Sequence, residues 1–247
     1  MNSTPALAIL VHGLWMRGPA LTVIKRRLEA DGSLRALLFS YPTIVGSMSD
    51  HVRRLIDFAH AHRSERLHFV GHSLGGLVIL KALSVTDDLP PGRAVLLGSP
   101  LQGSRTVQRL VRVPLGRTLL GGALVEECID CPPREWSGRR DVGVIAGSMR
   151  FGMGRVLGNL GDQHDGTVTV AETRLPGAKD HIVVAASHTG MLLSAEVAAQ
   201  TRYFLEHGHF SRPARRPRES GDPDGFPPPP TRGQALRGND GGVKSSS

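Results

Sequence analysis

Six short apolar runs punctuate the chain, at residues 6–11, 35–40, 66–70, 93–97, 142–146 and 181–186. The first, Ala6-Leu-Ala-Ile-Leu-Val11, is continuous rather than alternating, as expected of a parallel strand buried on both faces. Amphipathic stretches lie between these runs. Residues 19–31 place Leu21, Ile24 and Leu28 on one face and Lys25, Arg26 and Arg27 opposite, which predicts a helix. Residues 48–62 repeat the pattern with Met48, Val52, Leu55, Ile56 and Ala59. Leu74–Leu83 and residues 190–207 predict two more helices, the latter through Met191, Leu192, Val197, Ala198 and Phe204. Strand alternating with helix specifies an α/β protein, a mostly parallel six-stranded sheet with helices on both faces.

Regularity fails twice. Residues 101–140 interleave Leu and Arg with Pro114, Gly116, Gly121, Gly122, Pro132 and Pro133, and read as an inserted, cap-like segment. From Ser211 the chain turns to Arg, Pro and Gly, with four consecutive prolines, a composition that cannot build a core and predicts a disordered tail over 211–247. One α/β domain over 1–210 is therefore expected.

Charge and composition narrow the function classes. The formal net charge is +8, but the tail alone holds seven basic against four acidic residues. The rest is spread thinly and aromatics make up only 4%, so a nucleic-acid role is unsupported. No apolar run approaches the ~20 residues of a membrane span. The N-terminus lacks a basic leader and its apolar run is short, so a cytoplasmic location is expected. Cys128 and Cys131, the two cysteines, would need two further ligands to close a zinc site. Neither a metal nor an organic cofactor is expected.

The chemistry begins at Gly71-His72-Ser73-Leu74-Gly75, where the strand pattern gives way to the helix pattern. The five letters alone are weak, but a strand before and a helix after supply the context in which such a serine becomes a nucleophile. Gly71 and Gly75 suit a turn too sharp for neighbouring side chains. A serine hydroxyl needs a general base, and the base an orienting carboxylate. His188, in Ser187-His188-Thr189-Gly190, follows the last strand and so emerges at the same sheet edge as Ser73. His181 begins a strand at the wrong edge, and His207 and His209 lie past the last helix. Asp165, beside Gly166, is the favoured carboxylate, with Asp162 as its rival. Asp141 and Asp180 precede strands and face the other edge. Backbone N–H groups of Leu14, after Gly13, and of Leu74 are the candidate oxyanion donors. His12 is assigned a packing role under that loop.

These pieces together resemble the α/β-hydrolase superfamily, particularly small bacterial lipases and esterases. The resemblance rests on Val11-His12-Gly13-Leu14, Gly71-His72-Ser73-Leu74-Gly75-Gly76, Gly98-Ser99-Pro100-Leu101-Gln102-Gly103-Ser104, Asp165-Gly166-Thr167-Val168 and Ser187-His188. It implies a reduced form of the fold, with Asp165 as the acid and His188 as the base. The expected function is a serine hydrolase cleaving carboxylic esters, with a small-molecule acyl ester, a lipid among the candidates, as its substrate. An acyltransferase or thioesterase with the same triad is the alternative, and a non-catalytic binding protein the remoter one. Weak surface association with a membrane is a lesser reading, from the Leu/Arg mixture at 105–120, which Pro114 and Gly116 interrupt.

Overall fold

A computed structural model describes residues 5–62, 64–129, 134–150 and 163–212. The described residues up to Ser211 form one compact unit. The tail from residue 213, Asp162 and Cys131 lie outside the described residues.

Six strands form one sheet: β1 (Ala6–Val11), β2 (Leu34–Phe39), β3 (Leu67–His72), β4 (Ala94–Leu97), β5 (Val142–Gly147) and β6 (Asp180–Val184). Their order is β2-β1-β3-β4-β5-β6, and every pairing is parallel. All six carboxyl ends therefore share one edge. The chain runs from β1 outward to β2, then returns to the other side of β1 as β3. That reversal opens a crevice between the ends of β1 and β3, where α/β sheets bind ligands.

The continuous apolar runs have a direct cause. Leu7, Ile9 and Val11 face one core, shared with α2 (Met48–Ala61) and α3 (Leu74–Val85). Ala8 and Leu10 face the other, shared with α1 (Thr22–Leu28) and α7 (Ala195–His207). Ser47 caps α2 in a reciprocal box with Asp50, which satisfies the backbone N–H groups of that helix start. Between β4 and β5 come three short helices, α4 (Arg105–Leu110), α5 (Gly116–Leu120) and α6 (Gly122–Ile129).

Two predicted helices are divided. Residues 18–21 form a 3-10 turn ahead of α1, with Pro19 in its first turn, where a helix needs no N–H donor. Ser194 ends a second 3-10 turn, Gly190–Leu193, and its hydroxyl accepts the Val197 N–H to start α7 afresh. No helix among the described residues is long and apolar enough to cross a membrane.

Burial of polar rings adds a pH liability. His68 lies inside β3, its Nδ1 accepting the Arg93 N–H at 3.0 Å. Burial, with the charges of Arg93, Arg66 and Arg140, pushes its pKa down to about 4. The folded state keeps this ring neutral where the unfolded chain would protonate it. Its effect is nil above the ordinary histidine pKa, and stability falls as pH drops from about 6.5 toward 4. Urea unfolding at pH 7 and pH 5 should show His68→Gln sparing about 2 kcal/mol of the acid-induced loss seen in the parent chain.

Candidate functional site

Ser73 occupies the step between β3 and α3 with φ 53° and ψ −120°, a region costly for any residue with a side chain. Hydrogen bonds hold it there: its N–H donates to the Leu97 carbonyl at 2.9 Å, and its carbonyl accepts the Gly76 N–H at 3.0 Å. The flanking glycines permit the approach of α3 to the sheet. A Cβ on Gly75 would lie 2.2 Å from the Val11 carbonyl oxygen, and one on Gly71 would lie 2.7 Å from the Gly76 backbone. Gly76 is equally constrained, since its Cβ would meet Ser99 Oγ at 2.0 Å. The five-residue pattern did not single that position out.

Asp165 is fully buried, yet both carboxylate oxygens are engaged. Oδ1 accepts the N–H groups of Thr167 (2.8 Å) and Val168 (2.7 Å). Oδ2 lies 2.7 Å from His188 Nδ1. The two residues are also joined through the backbone, the His188 N–H donating to the Asp165 carbonyl at 2.9 Å. Gly98 and Gly147, at the ends of β4 and β5, make room for the pair. A Cβ on Gly98 would sit 3.0 Å from Asp165 Oδ2, and one on Gly147 would sit 2.8 Å from Asp165 Cβ.

His72, the residue before the serine, carries a tie that the sequence reading missed. Its Nε2 is 2.9 Å from the His188 carbonyl, which can only accept, so the proton of this neutral ring sits on Nε2. Burial pushes its pKa down to about 3. Its Nδ1 is buried without a protein partner, against Gly13, whose Cβ would come within 3.0 Å of it. The signal for this role was only the adjacency of His72 to Ser73; the partner lies 116 residues away.

The loop after β1 is held from beneath. Tyr41 donates its backbone N–H to His12 Nε2 (3.4 Å) and its hydroxyl to the His12 carbonyl (3.0 Å), and the two rings stack at 4.7 Å. Among the described residues, neither the Leu14 nor the Leu74 N–H has a protein acceptor. The other histidines lie elsewhere. His181 bonds Thr173 Oγ1, His164 accepts the Gly166 N–H, and His207 stacks on Tyr203. Asp141 pairs with Arg93.

Ser73, His188 and Leu14 line one cavity of about 560 Å³. Val107, Leu110, Leu120 and Leu124, from α4, α5 and α6, form an apolar wall, and Ser104, Thr106, Thr167 and Thr189 add hydroxyls. No Asp, Glu, Lys or Arg lines it among the described residues. Glu172 ties the wall to the Asp165 loop. One carboxylate oxygen accepts the Arg105 N–H at 2.6 Å, the other the Thr169 N–H at 2.7 Å.

Comparison with solved structures bears on the fold. A lipase of Bacillus licheniformis in its mature form superimposes with a TM-score of 0.63 at 18% identity, covering 83% of this chain and 92% of that one. The chain has the α/β-hydrolase fold. A pyrethroid hydrolase from Sphingobium faniae matches at TM-score 0.57 and 17% identity, over 83% and 98% of the two chains. A metagenomic carboxyl esterase matches at 0.54 and 16%, over 84% and 75%. No protein-family profile matches the sequence, and no curated protein does. Within the α/β-hydrolase fold seen here, the sheet is wholly parallel and has six strands.

Gly75→Ala tests the contact that lets α3 meet the sheet. Its new Cβ would face backbone rather than a yielding side-chain end. A stability loss of about 1–3 kcal/mol or more is expected from the urea midpoint.

Proposed function

We propose that the protein is a serine hydrolase of carboxylic esters. The observation that carries this reading is the Asp165–His188 pair at 2.7 Å, with His188 lining the same cavity as Ser73. In the proposed cycle, Ser73 Oγ attacks the ester carbonyl while His188 Nε2 accepts the hydroxyl proton. Asp165 holds Nδ1–H, fixing the tautomer and stabilising the imidazolium that forms. The developing oxyanion is received by the Leu14 and Leu74 N–H groups, which have no protein acceptor to give up. His188 then protonates the departing alcohol. Water, activated by the same ring, releases the acyl group and restores Ser73.

The strain at Ser73 serves this chemistry by lifting the hydroxyl clear of the backbone at the sheet edge. His72 acts as a positioning residue, anchoring the His188 loop through the bond to its carbonyl. The 105–129 helices serve as the cap, and their apolar wall receives the acyl chain. A pocket without fixed ions suits an uncharged ester, because burying an unpaired charge there would be costly.

Ser73→Ala should abolish hydrolysis of p-nitrophenyl esters and labelling by a fluorophosphonate while leaving the thermal unfolding midpoint close to the parent's. Retained hydrolysis in that variant would end the proposal. Leu124→Trp, filling the apolar wall, should lower kcat/KM for long-chain esters by about tenfold or more relative to acetate, measured across a series of acyl lengths.

A further inference from the structure

Apolar side chains that the core does not use gather at one side of the cavity mouth. Leu115 is 74% exposed, Val45 71% and Trp15 51%, with Ile44, Val113 and Leu119 also in water. They come from three separate segments that meet. Trp15 donates its N–H to Thr43 Oγ1 at 3.1 Å and its indole Nε1–H to the Leu119 carbonyl at 2.8 Å. Gly121 packs so closely on the same loop that a Cβ would lie 2.8 Å from Ile44 Cα. Trp15 and Leu120, the neighbour of Leu119, also line the cavity, which makes this surface its rim.

Backbone strain falls on the same rim. Three non-glycine residues among those described have positive φ: Ser73, Trp15 at 58° and Leu115 at 61°. Ser73 belongs to the site above. The other two hold bulky apolar side chains out in water from a conformation that such residues disfavour. Trp15 ties the β1 loop to the Leu119 carbonyl through its indole, but the side chain of Leu115, 74% exposed, packs into neither core cluster.

Charge identifies what the rim fits. Arg17, Arg112 and Arg117 are exposed on the segments that carry Trp15 and Leu115, and residues 105–120 contain four arginines and no acidic residue. Asp50, the carboxylate beside the Ile44–Val45 loop, is already engaged by Ser47 and Arg53. We propose that the rim docks the protein on an anionic lipid surface. Leu115, Leu119, Val45 and Trp15 enter the boundary between headgroups and acyl chains, and the arginines lie against the phosphates. The cavity mouth then opens at the level of the lipid esters.

The proposal concerns docking alone and is tested without catalysis, in the full chain carrying Ser73→Ala, so failure of the hydrolase reading leaves it standing. The probe is cosedimentation with vesicles of phosphatidylcholine alone, or of phosphatidylcholine mixed with phosphatidylglycerol. Binding is expected with the anionic vesicles and should weaken as salt rises. Arg112→Gln with Arg117→Gln should lower the partition about 25-fold, at roughly fivefold per charge. Val45→Ser with Leu115→Ser should also lower it several-fold while leaving the charge unchanged, with thermal unfolding confirming that each variant is folded. Absence of binding to anionic vesicles at low salt overturns the proposal. So does binding that survives in both double variants, since the arginines beyond residue 211 remain present in each. Self-association abolished by the Leu115 change, without vesicle binding, would assign the rim to a second copy of the chain instead.

Discussion

The contact of α3 with the ends of β1 and β3 is the constraint on which the candidate site depends. Gly71, Gly75 and Gly76 let the helix approach until backbone meets backbone, within distances that no Cβ could share. Only that approach makes room for Ser73 in its left-handed conformation, because the serine must turn the chain from strand to helix in a single residue. The strain is local, of about 1–3 kcal/mol. It is offset by the surrounding apolar core, in which Leu74, Val78 and Ile79 are wholly buried.

A second set of tight contacts ties the late part of the chain to this turn. His188 is held from three directions: by the Asp165 carboxylate, by the Asp165 carbonyl and by His72 Nε2–H. The anchors differ in kind. A buried carboxylate is tolerable because two backbone N–H groups and one ring complete its hydrogen bonding. Burial pushes the His72 pKa down and so favours the neutral ring, whose Nε2–H donates to the His188 carbonyl. Gly98 and Gly147 complete the arrangement by keeping side chains out of the space that the pair occupies.

The insertion is joined to both halves of this framework. Trp15 reaches from the β1 loop to the carbonyl of Leu119, and Glu172 reaches from the Asp165 loop to the start of α4. The wall of the cavity is therefore linked to the loop that carries Leu14 and to the loop that carries Asp165. Its inner face is apolar and lines the cavity. Its outer face exposes leucine, valine and arginine with no buried surface to explain them, which is where a further partner has to be sought.

Much of the architecture was legible in the residues alone. Parallel strands covered on both faces are written as continuous apolar runs, and helices covered on one face as amphipathic stretches, so all six strands could be read from composition and period. Ser73, Asp165 and His188 could be named as candidates because topology sets which loops after the strands share one sheet edge. Where local chemistry competes with period, the reading blurred. Ser194 divides what periodicity presents as one helix, and the first predicted helix opens as a 3-10 turn before α1. Distances remained a matter for the tertiary structure. The bond of His72 to a carbonyl 116 residues away, the clearance supplied by Gly98 and Gly147, and the clamp made by Glu172 leave no mark in any local window. Sequence pattern records which face of an element is covered, since burial acts residue by residue. It does not record which remote groups meet there, because that is decided only when separate elements pack against one another.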